Sequence, residues 1–164
     1  PIVDVIDPSG VVRSQVIEGD SGGFRLILNG ADNRQTLAGS FIAESFGSGI
    51  QHFALATDYI FATARTLRDS GFTALSISPN YYDDVEARFG LRPELADRLR
   101  RENILYDRDE YGEFFQLYAP PIGEGFLIEI VERRGPYRGY GASNAPFRIA
   151  AQKRHLRSKS MPCL

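Results

Sequence analysis

Glu129 is the residue whose surroundings ask most of chemistry. In the run FLIEIV at 126–131, period-two alternation puts Leu127, Glu129 and Val131 on one face of a strand and Ile128 and Ile130 on the other. Both faces are apolar, so burial on both sides is expected. A carboxylate there carries a severe desolvation penalty unless it is paired or bound to a metal. Position alone leaves two readings standing equally: a functional carboxylate, and an inward edge charge or a salt bridge to one of the many arginines. His52 sits mid-strand in GIQHFAL at 49–55. Alternation groups Ile50, His52, Ala54 and Ala56 on one face and turns Phe53 and Leu55 toward the helix that follows. Small neighbours leave room beside the imidazole for a ligand, although such a histidine is more often a satisfied structural residue. Gln116 shares a face with Phe114 and Tyr118 in EFFQLY at 113–118. A buried amide needs hydrogen-bond partners, which backbone groups supply more often than ligands do.

Other chemistry-bearing residues read more plainly. His155 lies in the basic run KRHLR at 153–157, expected to be a solvated face. The stretch GPYRGYG at 135–141 lacks the Gly-Lys-Ser/Thr ending and the strand-to-helix context of a phosphate loop. Tyr81, Tyr82, Asp83 and Asp84 read as a helix start. No serine or cysteine nucleophile is spaced to work with a histidine. Cys163 is the single cysteine, which excludes an internal disulfide and any cysteine-based zinc cluster. Two histidines in the whole chain limit any metal site further.

Strands and helices must position these residues. The chain has 164 residues, the size of one domain. Its 43% hydrophobic and 24% charged content suffices for one packed core. A net charge of −2 gives no electrostatic reason to bind nucleic acid or an anionic membrane. No apolar run approaches a membrane-spanning length, no secretory signal is visible, and a reducing cytoplasm is the expected compartment. The chain starts at Pro1, consistent with methionine removal or with a piece of a longer protein. Strands are expected at 1–6, 11–17, 24–28, 50–56, 72–77, 104–107, 113–118 and 126–131. The second and third should form a hairpin around the loop Gly19–Gly23, with Phe24, Leu26 and Leu28 on one face and Arg25 on the other. A short helix is expected within 30–48. Another is expected at 59–70, with Asp58 as N-cap and Gly71 as its stop. Two more lie within 79–101, broken at Pro93, and a last one covers 145–155. This alternation indicates an α+β fold with a mixed or antiparallel sheet.

GIQHFAL, EFFQLY and FLIEIVER occur in that order and are followed by GYGASN at 139–144. Together they resemble the C-terminal half of 4-hydroxyphenylpyruvate dioxygenases, in the vicinal-oxygen-chelate superfamily, from about residue 10 to 155. The ending GYGASNAPFRIAAQ at 139–152 is more similar to a fused bacterial family. There, a sugar-isomerase-like barrel with 3-dehydroshikimate dehydratase activity precedes a dioxygenase-like domain. The resemblance implies a metal held by two histidines and one glutamate, with open positions for substrate and oxygen. His52 matches the second histidine and Glu129 the glutamate; a cation would offset the cost of burying that carboxylate. Gln116, Ser14 and Asn29 match residues that face substrate. The family's first histidine has no counterpart, and His155 does not match it. A family glutamine aligns with Gly39 and a pocket phenylalanine with Tyr140, which departs from hydroxyphenylpyruvate specificity.

The resemblance implies βαβββ modules in a curved, mostly antiparallel sheet with helices on its convex side and His52, Gln116 and Glu129 on its concave face. Residues 1–30 would be the last three strands of a truncated first module, 31–48 a connection, 49–134 a complete second module with a helical insertion, and 135–164 the C-terminal loop, helix and tail. The function implied is that of a metal-binding domain of a dehydratase fusion that converts 3-dehydroshikimate to protocatechuate. Its small-molecule substrate would be aromatic or belong to the quinate/shikimate pathway. Alternatives are a true dioxygenase using Fe(II), O2 and a 2-oxo acid, and a non-catalytic assembly module. The divalent metal would be Fe(II) in a dioxygenase, with Mg, Mn or Co possible in the fusion. The partner would be a second copy or the missing part of the parent chain, because an unpaired sheet edge invites association.

Overall fold

The computed structural model describes residues 2–20, 23–123 and 125–160. Pro1, Cys163 and two residues of the predicted hairpin loop, Ser21 and Gly22, lie outside the described residues. The chain forms two compact units, residues 1–51 and 52–164.

The first unit is a three-stranded antiparallel sheet, β1 (Ile2–Asp7), β2 (Gly10–Glu18) and β3 (Arg25–Ala31), followed by helix α1 (Leu37–Glu44). In β2, Val12, Ser14 and Val16 are buried while Arg13, Gln15 and Ile17 are exposed, the period-two signature of a one-sided strand. The turn after β1 is tied down by buried Asp7. Its Oδ1 accepts from the Ser9 N–H at 2.8 Å and its Oδ2 from the Leu37 N–H at 2.8 Å, at the start of α1. Thr36 caps that helix, its Oγ1 accepting from the Gly39 N–H at 3.0 Å. A Cβ on Gly39 would overlap the Asn33 carbonyl oxygen, so the backbone excludes a glutamine here. The predicted face of Phe24, Leu26 and Leu28 forms no core: all three side chains are exposed.

The second unit begins with β4 (His52–Ala56) and α2 (Ile60–Asp69). An irregular segment leads to α3 (Pro79–Phe89) and α4 (Pro93–Glu102), each with proline in its first turn. Then come β5 (Leu105–Arg108), β6 (Glu113–Tyr118) and β7 (Leu127–Arg134). A 3-10 turn at Ala142–Asn144 opens into α5 (Ala145–Ser160). The sheet order is β4-β7-β6-β5; β4 runs parallel to β7 and the other pairs are antiparallel. The fold is therefore α+β, with one antiparallel and one mixed sheet.

Three expectations need correction. Residues 72–77 form no strand and belong to no sheet among the described residues. Leu75 and Ile77 are drawn into the core, and the polar groups of the segment are met singly. The Leu75 N–H donates to the Tyr118 carbonyl at 2.8 Å, and the Ile77 N–H donates to Asn103 Oδ1 at 3.0 Å. Phe53 and Leu55 do not pack under α2 and are 45% and 54% exposed. The helix seats over β6 and β7 instead, with Phe61 edge-on to Phe115 at 5.9 Å, which leaves the edge strand β4 uncovered. Helices occupy both sheet faces: α2 covers the side of Phe115, and residues opening and within α5 reach Gln116 and Tyr118 on the other.

The start of α2 shows another difference. Its cap is Tyr59, not Asp58, and no cap side chain bonds to it. Buried Glu132, reaching from β7, accepts the Ile60 N–H at 2.8 Å and pairs with Arg134 Nε at 2.6 Å. A carboxylate at a helix N-terminus satisfies an orphan donor and opposes the positive end of the dipole.

Candidate metal centre

Register brings the predicted residues together. Ala54 of β4 and Tyr118 of β6 both lie opposite Glu129 of β7, and Gln116 lies opposite Val131. Directly opposed residues share a face, so His52, Gln116, Tyr118 and Glu129 line one side of the sheet. Glu129 is 5% exposed. Its two oxygens have different surroundings. Oε1 accepts from Gln116 Nε2 at 2.8 Å and from the Tyr118 hydroxyl at 2.8 Å. Oε2 faces His52 Nε2 at 3.8 Å.

The donors on Oε1 are fixed from behind. Gln116 Nε2 also donates to the Tyr118 oxygen at 2.8 Å, leaving that hydroxyl's proton for the carboxylate. Gln116 Oε1 accepts from Asn144 Nδ2 at 2.8 Å, which sets the orientation of the amide. Asn144 Oδ1 lies 2.9 Å from the Tyr81 hydroxyl, whose oxygen accepts the Tyr106 N–H at 2.7 Å. Side chains, not backbone, thus satisfy Gln116. Burial, and then the charge of Glu129, hold the Tyr118 hydroxyl well above its ordinary pKa, so it stays a proton donor.

The glycine-rich stretch at 135–141 closes the same network. Tyr137 stacks on Phe114 at 5.0 Å, donates to Asp107 Oδ2 at 2.6 Å and accepts the Gly141 N–H at 2.9 Å. Gly141 has φ +64°, and a Cβ there would overlap the Gln116 amide. The segment packs against Gln116 rather than cradling phosphate.

His52 is partly buried. Burial lowers its pKa below 6.5; Glu129 pulls it up and Arg148 pushes it down again. The imidazole is therefore neutral at pH 7, the form that can donate a lone pair to a metal. Metal–nitrogen and metal–oxygen bonds are about 2.0–2.2 Å, so donors up to roughly 4 Å apart can share one ion. The 3.8 Å separation of His52 Nε2 and Glu129 Oε2 fits that limit. Among the described residues no third His, Cys, Asp or Glu joins them.

Ser14 and Asn29 come together in the first unit. They are directly opposed on β2 and β3, and the Ser14 hydroxyl donates to Asn29 Oδ1 at 2.6 Å. Tyr118, Asn144 and Arg148 escaped the sequence reasoning as site residues. Tyr118 carried a signal, since it alternates with Gln116; Asn144 and Arg148 became visible only once loop and helix were placed against β6. His155 is part-buried on α5, not fully solvated.

No family model matches the chain. It is 40% identical over 146 residues to a 3-dehydroshikimate dehydratase of Pseudomonas aeruginosa, covering 88% of this chain and 23% of that protein. It is 33% identical over 133 residues to a 4-hydroxyphenylpyruvate dioxygenase of the same organism, covering 80% and 37%. Among solved structures, a xylose isomerase-like TIM barrel/4-hydroxyphenylpyruvate dioxygenase fusion protein superposes with a TM-score of 0.75 at 37% identity, covering 94% of this chain and 25% of that one. The chain belongs to the hydroxyphenylpyruvate-dioxygenase-like domains of the vicinal-oxygen-chelate fold. Within that class it matches the dioxygenase-like part of dehydratase fusions, and it spans about a quarter of the length of the dehydratases it resembles. No helix among the described residues is long and apolar enough to cross a membrane.

Proposed function

We propose that this chain acts as the metal-binding, dioxygenase-like domain of a cytoplasmic dehydratase that converts 3-dehydroshikimate to protocatechuate in aromatic catabolism. The observation that carries the reading is the 40% identity to dehydratases across 88% of the chain. His52 and Glu129 would hold a divalent cation, Fe(II) in an oxygenase or Mg, Mn or Co in a dehydratase fusion. Bound there, the ion supplies Lewis-acid polarisation of a ligand oxygen. Glu129 presents one oxygen to that position because Gln116 and Tyr118 occupy the other. A third donor would come from outside the described residues.

The test is a chimera in which this chain replaces the matching 146 residues of the Pseudomonas aeruginosa dehydratase. The expected result is retained dehydration of 3-dehydroshikimate and no oxygen uptake with Fe(II) and 4-hydroxyphenylpyruvate. Oxygen uptake with that keto acid would replace this reading by a true dioxygenase. Loss of dehydration in a folded chimera would also overturn it.

A further inference from the structure

Arg148 lies on α5, half-buried, with its Cζ 5.6 Å from the Tyr118 ring centroid. It makes no ion pair among the described residues. Among the described residues its hydrogen-bond partner is a neutral amide, Gln152 Oε1, at 2.6 Å from Nη1. Gln152 is 1% exposed, and among the described residues its Nε2 has no acceptor. Two neighbouring side chains therefore carry deficits of the same sign: donors without an acceptor. Partial desolvation of a guanidinium costs free energy that a neutral amide offsets only in part. The guanidinium stands over the Tyr118 ring, and Tyr118 lies directly opposite Glu129 on the metal-site face. A divalent cation held by His52 and Glu129 would add positive charge beside it, which favours an anion there.

We propose that Arg148, propped by Gln152, is an anion-recognition residue beside the His52–Glu129 pair and selects a small ligand bearing a carboxylate that the metal does not hold. The planar fork of guanidinium donors matches two carboxylate oxygens, and the Tyr118 ring supports its face. This rests on the reading of the His52–Glu129 face as a ligand pocket, but it does not require the ion to be bound.

The probe pair is benzoate and its neutral isostere benzamide, titrated into the metal-free chain by heteronuclear NMR. Benzoate is expected to bind at least 10-fold more tightly and to shift the Arg148 Nε–Hε resonance. Arg148→Met should remove the preference, and Arg148→Lys should keep part of it. Equal binding of the two probes, or a benzoate response that spares Arg148, would overturn the proposal even if Arg148→Met fails to fold. A preference unchanged in folded Arg148→Met would overturn it as well. Mn(II) binding is measured separately: Mn(II) binding without benzoate preference sinks only the anion site, whereas preference without Mn(II) binding sinks only the metal reading.

Discussion

Glu129 makes a buried carboxylate tolerable by dividing its work. One oxygen takes two hydrogen bonds from Gln116 and Tyr118, and the other faces His52. The carboxylate announced itself in the sequence because nothing else in FLIEIV is polar. Its partners did not, since a tyrosine on a strand reads as core until the strand opposite is known. Tyr118→Phe tests this division. Removing a hydroxyl that donates to a buried carboxylate should cost about 1–3 kcal/mol, read as a lower urea midpoint at unchanged m-value. A neutral effect would mean that Gln116 alone satisfies Oε1.

Element ends in this protein are fixed by side chains from distant strands. The strand, helix and turn order was legible from periodicity, glycine and proline. The cap of α2 was not, because Glu132 lies 72 residues beyond Ile60. The segment at 72–77 has the composition of a strand but makes a single backbone bond to β6, from Leu75 to Tyr118, rather than a ladder, a fact only the tertiary fold supplies. Glu132→Ala should leave the Ile60 N–H buried without an acceptor and destabilise the chain by roughly 1–3 kcal/mol, measured by thermal or urea unfolding. Asp109 pins the β5–β6 turn to the C-terminal loop. It accepts from the Arg138 N–H at 2.7 Å and from the N–H groups of Tyr111 and Gly112 at 2.8 and 2.9 Å. The bond from Arg138 is the main reason its pKa lies below the ordinary 3.8, the turn amides adding to it. A depressed carboxylate pKa gives stability that is complete above 3.8 and is lost as pH falls through the folded-state value. Unfolding midpoints against pH should show this acid limb flattened in Asp109→Asn; an identical limb in both proteins would remove Asp109 from the account.

At the scale of the molecule, the first unit exposes Leu26 and Leu28 on one face of β3 and Ile27 on the other, and β4 in the second unit is an edge strand. Exposed apolar strands and open edges favour association. The chain alone should show a mass that rises with concentration by light scattering, and a constant monomer mass would contradict that. The chain comprises two compact units, and the matched dehydratases are about four times longer than the matched region. The central claim, that His52 and Glu129 jointly hold one divalent ion per chain, is tested most directly by Mn(II) titration followed by EPR. The expected result is a single weak site, weakened at least ~10-fold by either His52→Ala or Glu129→Gln, since each removes one of two ligands. Equal Mn(II) affinity in the wild type and both variants would contradict the claim.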